Sequence, residues 1–282
     1  MCPVSSEITA WLISSASSGY AEDMIGTRFR DKLYRQWLEV RKPKASDFDG
    51  MDSEGYYYVV NAESGRRVFV SHQRRLGYYA KGVAHRVSNL AHEYQVSQLV
   101  LKSADRVIDV GAHSGEFGLW VEQSGAHYLG IEPDPVAFGA LQRNFPNSRL
   151  LNIALGEKTG YQEFYLATST GDSSFASSTS KRELKVQVET LDSVASGNFP
   201  GGRITLLKVE AEGFEPEVFA GGIETLKRTD FVTVDAGEER SGLSTAPECL
   251  NLLFSLGFTM KSVFLRRGIF LLENIKQGEA TI

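Results

Sequence analysis

Residues 106–120 read RVIDVGAHSGEFGLW, a short apolar run that ends in an acid, breaks into glycines and then resumes at helical spacing. Val107, Ile108 and Val110 are β-branched, as suits a strand buried on both faces. Gly111, Gly115 and Gly118 give a turn in which a ligand can touch backbone, and Phe117, Leu119 and Trp120 begin the following helix. In an open α/β sheet, a strand, a glycine loop and a helix N-terminus in that order lie at the carboxyl edge, where ligands bind.

The spacing narrows the choice of ligand. A dinucleotide fingerprint needs glycines at its first, third and sixth positions, and His113 occupies the third. A phosphate-binding P-loop needs a Gly-Lys-Ser/Thr ending, which is absent. What remains is D-x-G-x-x-x-G, from Asp109 through Gly111, Ala112 and His113 to Gly115. About twenty residues on, a second apolar run, YLGIE, ends at Glu132 and is followed by Pro133 and Asp134. A carboxylate there can accept hydrogen bonds from both ribose hydroxyls of a nucleoside. Two strand-end acids without a pyrophosphate site fit S-adenosylmethionine, and the arrangement resembles the class I methyltransferases that use it. The competing reading is an α/β domain whose strand-end acids cap helices.

The composition sets bounds on this. The chain has 282 residues, 42% apolar and 23% charged, ordinary globular values with enough length for a sizeable core. A net charge of −5 and a pI near 5.7 argue against nucleic acid as the main partner. The basic cluster Arg28, Arg30, Lys32, Arg35, Arg41, Lys42 and Lys44, interleaved with apolar residues, reads as the solvated face of an amphipathic helix. Two cysteines, Cys2 and Cys249, support neither a disulfide framework nor a zinc site, so a cytoplasmic location is expected. No membrane span is expected, because no run reaches the required length.

Along the chain, residues 1–45 predict one or two helices, and 56–60 with 67–71 predict a hairpin. Helical spacing over 81–100 leads into the first core strand. Strands and helices then alternate, as in a doubly wound sheet. The expected strands are 149–154, 204–210 and 231–235, with added strands at 162–166 and 184–189 and a closing antiparallel pair at 259–264 and 268–272. The Ser/Thr-rich stretch within 167–181 lies between two added strands and predicts a loop over the site.

Four stretches together resemble the FkbM-type branch of the class I methyltransferases: VIDVGAHSGEF, GIEPDPVAF, the Thr190-Leu191-Asp192 step and LKVEAEGFEPEVFAGG. The resemblance runs from about residue 76 to 272. It implies an α/β, Rossmann-like class I methyltransferase fold, a mostly parallel sheet with helices on both faces and an appended N-terminal α+β segment. Residues 1–100 are then expected as a helical and hairpin segment that caps the substrate. Residues 101–282 are expected as the S-adenosylmethionine-binding domain, with the loop 167–181. The implied reaction is methyl transfer from S-adenosylmethionine to a hydroxyl of a sugar in a glycan or glycoconjugate, with a carbohydrate or small-molecule acceptor. Glu210 stands where the family has aspartate, one methylene longer, while Lys208, Glu212, Gly213 and Glu215 keep their places.

For the cofactor, the loop residues Asp109, Gly111, Ala112, His113 and Gly115 are expected to hold the methionine part. Glu132 and Pro133 are placed for the ribose, and Ile153 and Ala154 for the adenine. A hydroxyl acceptor keeps its proton at neutral pH, so a base is needed. Glu210 and Asp235, which end strands, and Glu212 are the candidates, with Glu238 and Glu239 just beyond. Two such acids could instead share a divalent cation. Lys208, in an apolar strand, is expected to pair with a carboxylate, and Tyr94 to belong to the core or cover the cofactor. Other readings are a tailoring methyltransferase of a polyketide, peptide or other small molecule at oxygen or nitrogen, a nucleotide-dependent oxidoreductase, and an inactive cofactor-binding module.

Overall fold

The computed structural model describes residues 49–167, 181–240 and 242–275. The helices and basic cluster expected before residue 46, and the Ser/Thr-rich stretch 168–180, lie outside the described residues. In chain order the elements are β1 (Asp49–Met51), β2 (Tyr57–Val60), β3 (Arg67–Val70), α1 (Val83–Glu93), β4 (Arg106–Val110), α2 (Glu116–Glu122) and β5 (His127–Ile131). Next come α3 (Pro135–Asn144), β6 (Arg149–Leu151), β7 (Ala154–Leu155), β8 (Gly160–Ala167), β9 (Lys181–Glu189), α4 (Leu191–Asn198) and β10 (Ile204–Val209). The chain continues through α5 (Glu215–Ala220), α6 (Ile223–Lys227), β11 (Thr229–Asp235), α7 (Ala246–Ser255), β12 (Phe258–Phe264) and β13 (Ile269–Asn274).

A seven-stranded sheet runs in the order β12-β13-β11-β10-β4-β5-β6. The strands from β11 to β6 are parallel, and β13 and β12 close one edge antiparallel. From β4 the chain winds outward to β6, then returns to the other side of β4 with β10, so the order reverses between β4 and β10. That is where a doubly wound sheet opens a crevice at its carboxyl edge. Successive residues of a strand face opposite sides, which is why one sheet carries two cores. Val107, Tyr128 and Leu206 pack with α1, α2 and α3, whereas Ile108, Leu129 and Leu207 pack with α4, α5, α6 and α7. Each fully buried Leu or Ile contributes roughly 1.5–3 kcal/mol relative to an exposed one.

Residues 49–100 add to the first of these cores. The β2–β3 hairpin buries Val59, Val68 and Val70 in the same cluster as Val87, Leu90, Phe117 and Leu141. Asn144 fastens the hairpin: its Nδ2 donates to the carbonyls of Phe69 (2.8 Å) and Ser114 (2.7 Å), and its Oδ1 accepts from the Phe69 N–H (2.8 Å). Asn144→Ala leaves these buried groups unpaired and is expected to cost ~2–3 kcal/mol in a denaturant melt; a cost under ~0.5 kcal/mol would show that the fastening is dispensable.

The structure corrects two expected spans. The helix predicted over 81–100 is only α1, because the chain turns at Gln95, whose φ is 59°, and the Val96 and Ser97 N–H groups both bond back to Ala91. The strand predicted over 149–154 breaks after Leu151. There Asn152 turns its Nδ2 onto the carbonyls of Glu132 (2.8 Å) and Pro133 (3.1 Å), and Ala154 and Leu155 pair instead with β9 in a separate three-stranded sheet. No helix among the described residues is long and apolar enough to cross a membrane.

Candidate active site

The loop after β4 is shaped first by the protein itself. Gly111 has φ +73°, and a Cβ there would lie 1.9 Å from the Glu210 carbonyl oxygen. Gly115 has φ +83°, and a Cβ would meet Phe145 at 2.4 Å and Leu141 at 2.7 Å. The sequence reading gave both glycines to ligand approach; in the structure each is already required by close packing within the chain. The Gly111 and Ala112 N–H groups donate to the Ile131 carbonyl at 3.0 and 2.9 Å, so the loop crosses directly from β4 to the end of β5.

Glu132 ends β5 at this crossing, buried, with one oxygen accepting the His113 N–H (2.7 Å) and the other the Asp134 N–H (2.8 Å). Its neighbour Asp134 is the helix cap, accepting from Val136 and Ala137 at the start of α3. Glu132 therefore has a different task. Burial pushes its pKa up to about 8, opposed by its two backbone hydrogen bonds. A carboxylate has room for about four donors, and no side-chain donor to this one is seen among the described residues. A ligand bringing two hydroxyl donors fits it.

The second set of groups lies one strand over, around Lys208. This buried ammonium sits 3.1 Å from Asp109 Oδ1 and 3.2 Å from Glu210 Oε2, and donates to the Gly111 carbonyl at 2.7 Å. Asp109 also accepts from the Tyr128 hydroxyl at 2.7 Å. Burying a lone ammonium is costly, and this arrangement offsets that cost with two carboxylates and two carbonyls. Glu210 is held further by the Tyr94 hydroxyl and by Arg267 Nη2 at 2.7 Å. Burial alone would raise its pKa, but the Lys208 and Arg267 charges prevail and bring it down to about 2. A carboxylate held that low is a poor proton acceptor near neutral pH, which is the physical objection to Glu210 as the base.

Asp235, at the end of β11, has the opposite electrostatics. It is fully buried; one oxygen is bound by the same Arg267 nitrogen, and the Gly237 N–H lies beside the carboxyl. Burial and then the Glu210 charge push its pKa up to about 7. Arg267 also reaches Glu93 on α1 at 3.4 Å, so one guanidinium ties α1, β10 and β11 to the β12–β13 turn. The positive charge that a shared divalent cation would have brought between Glu210 and Asp235 is supplied by this arginine.

The other acids divide by role. Glu212 is half-buried with φ 51°. Glu215 is fully buried and braces the turn, accepting from the Ala211 (2.8 Å) and Gly213 (3.0 Å) N–H groups and the Thr245 hydroxyl (2.8 Å). Glu239 is half-buried; desolvation and the charges of Glu212, Asp235 and Glu210 push its pKa up. His113 shares its ring nitrogens with Ser114 (2.9 Å) and Ser71 (3.1 Å), and burial brings its pKa down to about 3. It is therefore neutral at physiological pH, and its backbone N–H donates to Glu132.

Ile153 is half-buried against the second core, and Ala154 is buried with Val186 and Val188 in a cluster of its own. Pro133 is half-buried, between Glu132 and the capping Asp134. The sequence reading missed Arg267, whose only local signal was a place in a hairpin turn, and Glu116. Glu116 binds Tyr79, Arg75 and Arg86 at 2.9–3.1 Å and anchors residues 75–86 to α2. An acid in the first turn of an otherwise apolar helix was the available signal.

Residues 109–260 match the family described as the methyltransferase FkbM domain. The chain is 28% identical to 2-O-methyltransferase NoeI of Sinorhizobium fredii, in an alignment of 237 residues that covers 74% of this chain and 96% of that protein. Among solved structures it is similar to a methyltransferase FkbM from Methylobacillus flagellatus, at 17% identity and a TM-score of 0.46, over 70% of this chain and 52% of that one. A second is CalS10 of Micromonospora echinaspora, an amino pentose methyltransferase solved with S-adenosylmethionine, at 11% identity and a TM-score of 0.42, over 72% of this chain and 97% of that one.

Proposed function

The chain belongs to the FkbM family of methyltransferases, with S-adenosylmethionine as its methyl donor, and from that premise we propose that its acceptor is a hydroxyl of a sugar in a glycan or glycoconjugate. The observation that carries this reading is Asp235, a carboxyl buried at the carboxyl edge of the sheet and joined through Arg267 to Glu210; burial and the Glu210 charge raise its pKa to about 7. An amine acceptor that is already neutral attacks through its free lone pair, whereas a hydroxyl must lose its proton in the same step. The name of the relative, a 2-O-methyltransferase, supports the same choice.

When bound, S-adenosylmethionine supplies an electrophilic methyl group on a sulfonium. The residues of this chain do the rest. Glu132 accepts the ribose hydroxyls while the His113 and Asp134 N–H groups fix its orientation. Gly111, Ala112 and Gly115 set the course of the loop that holds the methionine part. Asp109 is kept in place by Lys208 and Tyr128. Asp235 takes the acceptor proton, and Arg267 orients it and stays paired with Glu210. Much of the rate should come from holding acceptor and methyl in line. Acceptor choice is assigned to residues 1–100 and to the stretch 167–181.

The direct test is incubation of purified protein with isotopically labelled S-adenosylmethionine and a panel of oligosaccharides, each paired with its 2-deoxy analogue. Transfer to the hydroxylated member of a pair, with loss in the deoxy analogue, is the expected result. Label appearing only on nitrogen acceptors would overturn the reading.

Glu132 makes cofactor affinity depend on pH. Ribose hydroxyls donate to the ionised carboxylate, and in the free protein that form is complete only above about pH 8. Affinity for S-adenosylhomocysteine should therefore tighten as pH rises from 6 to 8, by up to ~10-fold per unit. Glu132→Gln should bind ~10–100-fold more weakly and lose the dependence. A flat profile in the unaltered protein, followed by calorimetry, would remove Glu132 from the ribose site.

A further inference from the structure

A polar cavity lies at the opposite edge of the sheet. Arg106, His127 and Arg149 are the first residues of β4, β5 and β6. Asp109 and Glu132 stand toward the other ends of β4 and β5, about 10 and 17 Å along the strands from Arg106 and His127 at the strand rise. Between these strand starts and the segment after α4 is a cavity of about 450 Å³, lined by Arg106, His127, Ser148, Arg149, Asn198 and Phe199.

Its charge is unusual for an acidic protein. The guanidinium carbons of Arg106 and Arg149 lie 5.6 and 5.7 Å from the centroid of the Phe199 ring, which holds both cations at the cavity. Arg228 stands behind them, donating to the carbonyls of Phe199 (2.8 Å) and Gly202. Burial and then the Arg106 charge lower its pKa, so the arginines repel one another. Among the described residues neither Arg106 nor Arg149 forms an ion pair, and the buried Nη1 of Arg106 has no hydrogen-bond acceptor. The neighbouring carboxylates are engaged elsewhere: Asp105 accepts from Lys102 N–H and Thr205, Asp192 from the Glu224 and Thr225 N–H groups. Converging guanidiniums that form no ion pair with a described residue, in a polar cleft, are the chemistry that binds phosphate.

We propose that this cavity is an anion site for a phosphate group, carried by a small phosphorylated molecule and held by Arg106 and Arg149. The volume exceeds what inorganic phosphate fills and lies in the range of small-molecule sites. Ser148 lines the cavity beside the arginines, Arg149 Nη1 donates to the Asn198 carbonyl, and the Asn198 amide donates to the Val194 carbonyl at 2.9 Å.

The test is calorimetric titration of the full chain with inorganic phosphate and with pyrophosphate, at constant ionic strength set by chloride. Saturable binding at or below ~1 mM, tighter for pyrophosphate, is expected. Arg149→Gln, at an exposed position, should weaken it at least ~10-fold, and Arg106→Gln with Arg149→Gln should abolish it, while S-adenosylhomocysteine binding stays unchanged. Retained binding of that ligand reports that the variants are folded. No saturable binding up to ~10 mM would overturn the proposal. So would binding that Arg149→Gln leaves intact, or binding that S-adenosylhomocysteine displaces, since the anion would then sit elsewhere.

Discussion

Asp235→Asn is expected to lower kcat for methyl transfer ~10²–10⁴-fold while S-adenosylhomocysteine binding is preserved. The amide matches the carboxyl in shape and can still meet Arg267 through its oxygen, but it cannot accept a proton. The pH profile should carry the signature of the same group. Because the Asp235 carboxyl is raised to about 7, log kcat/KM should climb with unit slope below that pH and level off above it. Stability should move the other way. A carboxyl whose folded pKa lies above its ordinary value of 3.8 holds its proton more tightly in the folded chain, so its contribution to stability falls as pH rises from about 4 through 7. Asp235→Asn removes that penalty, and its melting temperature should match or exceed that of the unaltered protein above pH 7. Unchanged kcat in the variant, or a profile flat through pH 7, would exclude Asp235 as the base. The same pair of measurements on Glu210→Gln should keep the limb but move it to lower pH, because the Glu210 charge is one of the causes that raise the Asp235 carboxyl.

Gly111→Ala should be among the most destabilising single changes in the described chain. Two costs fall on one atom. The positive φ of +73° strains any L side chain, and the new Cβ would lie 1.9 Å from the Glu210 carbonyl, a backbone atom that cannot rotate aside. Relief requires β4 and β10 to part where the Glu210 N–H bonds to the Val110 carbonyl at 3.1 Å. The expected loss is about 3–5 kcal/mol, a fall in Tm on the order of 10 °C for a domain of this size. Thermal unfolding by circular dichroism is the measurement. A fall of under ~2 °C would mean that the loop yields more readily than the packing implies. Gly55→Ala is the control: its φ is also positive, at +89°, but no described residue lies within 4 Å of the added atom. The difference between the two isolates the steric part.

The alternation of apolar strands with helical spacing was readable in the sequence because each strand of a doubly wound sheet is a local pattern. The two strand-end acids, Asp109 and Glu132, were readable for the same reason, since each ends a β-branched run beside a glycine or a proline. The position of Lys208 among apolar residues foretold a carboxylate partner, and the structure supplies Asp109 and Glu210. What local pattern could not give was the order of the strands. Glu210 and Asp235 look alike as strand-end acids, yet β10 lies beside β4 and its Lys208 network, while β11 lies one strand further out.

The sequence by itself determined the fold class and the family, because those depend on residue types at fixed short spacings. Only the tertiary structure decided the protonation of the acids and the reason for the glycines. Protonation is set by charges brought together across the sheet, as when Arg267, from a hairpin turn more than fifty residues beyond Glu210, meets Glu210 and Asp235 at once. The glycines are set by how closely β4, β10 and α3 approach one another, and that distance depends on packing across elements remote in the chain.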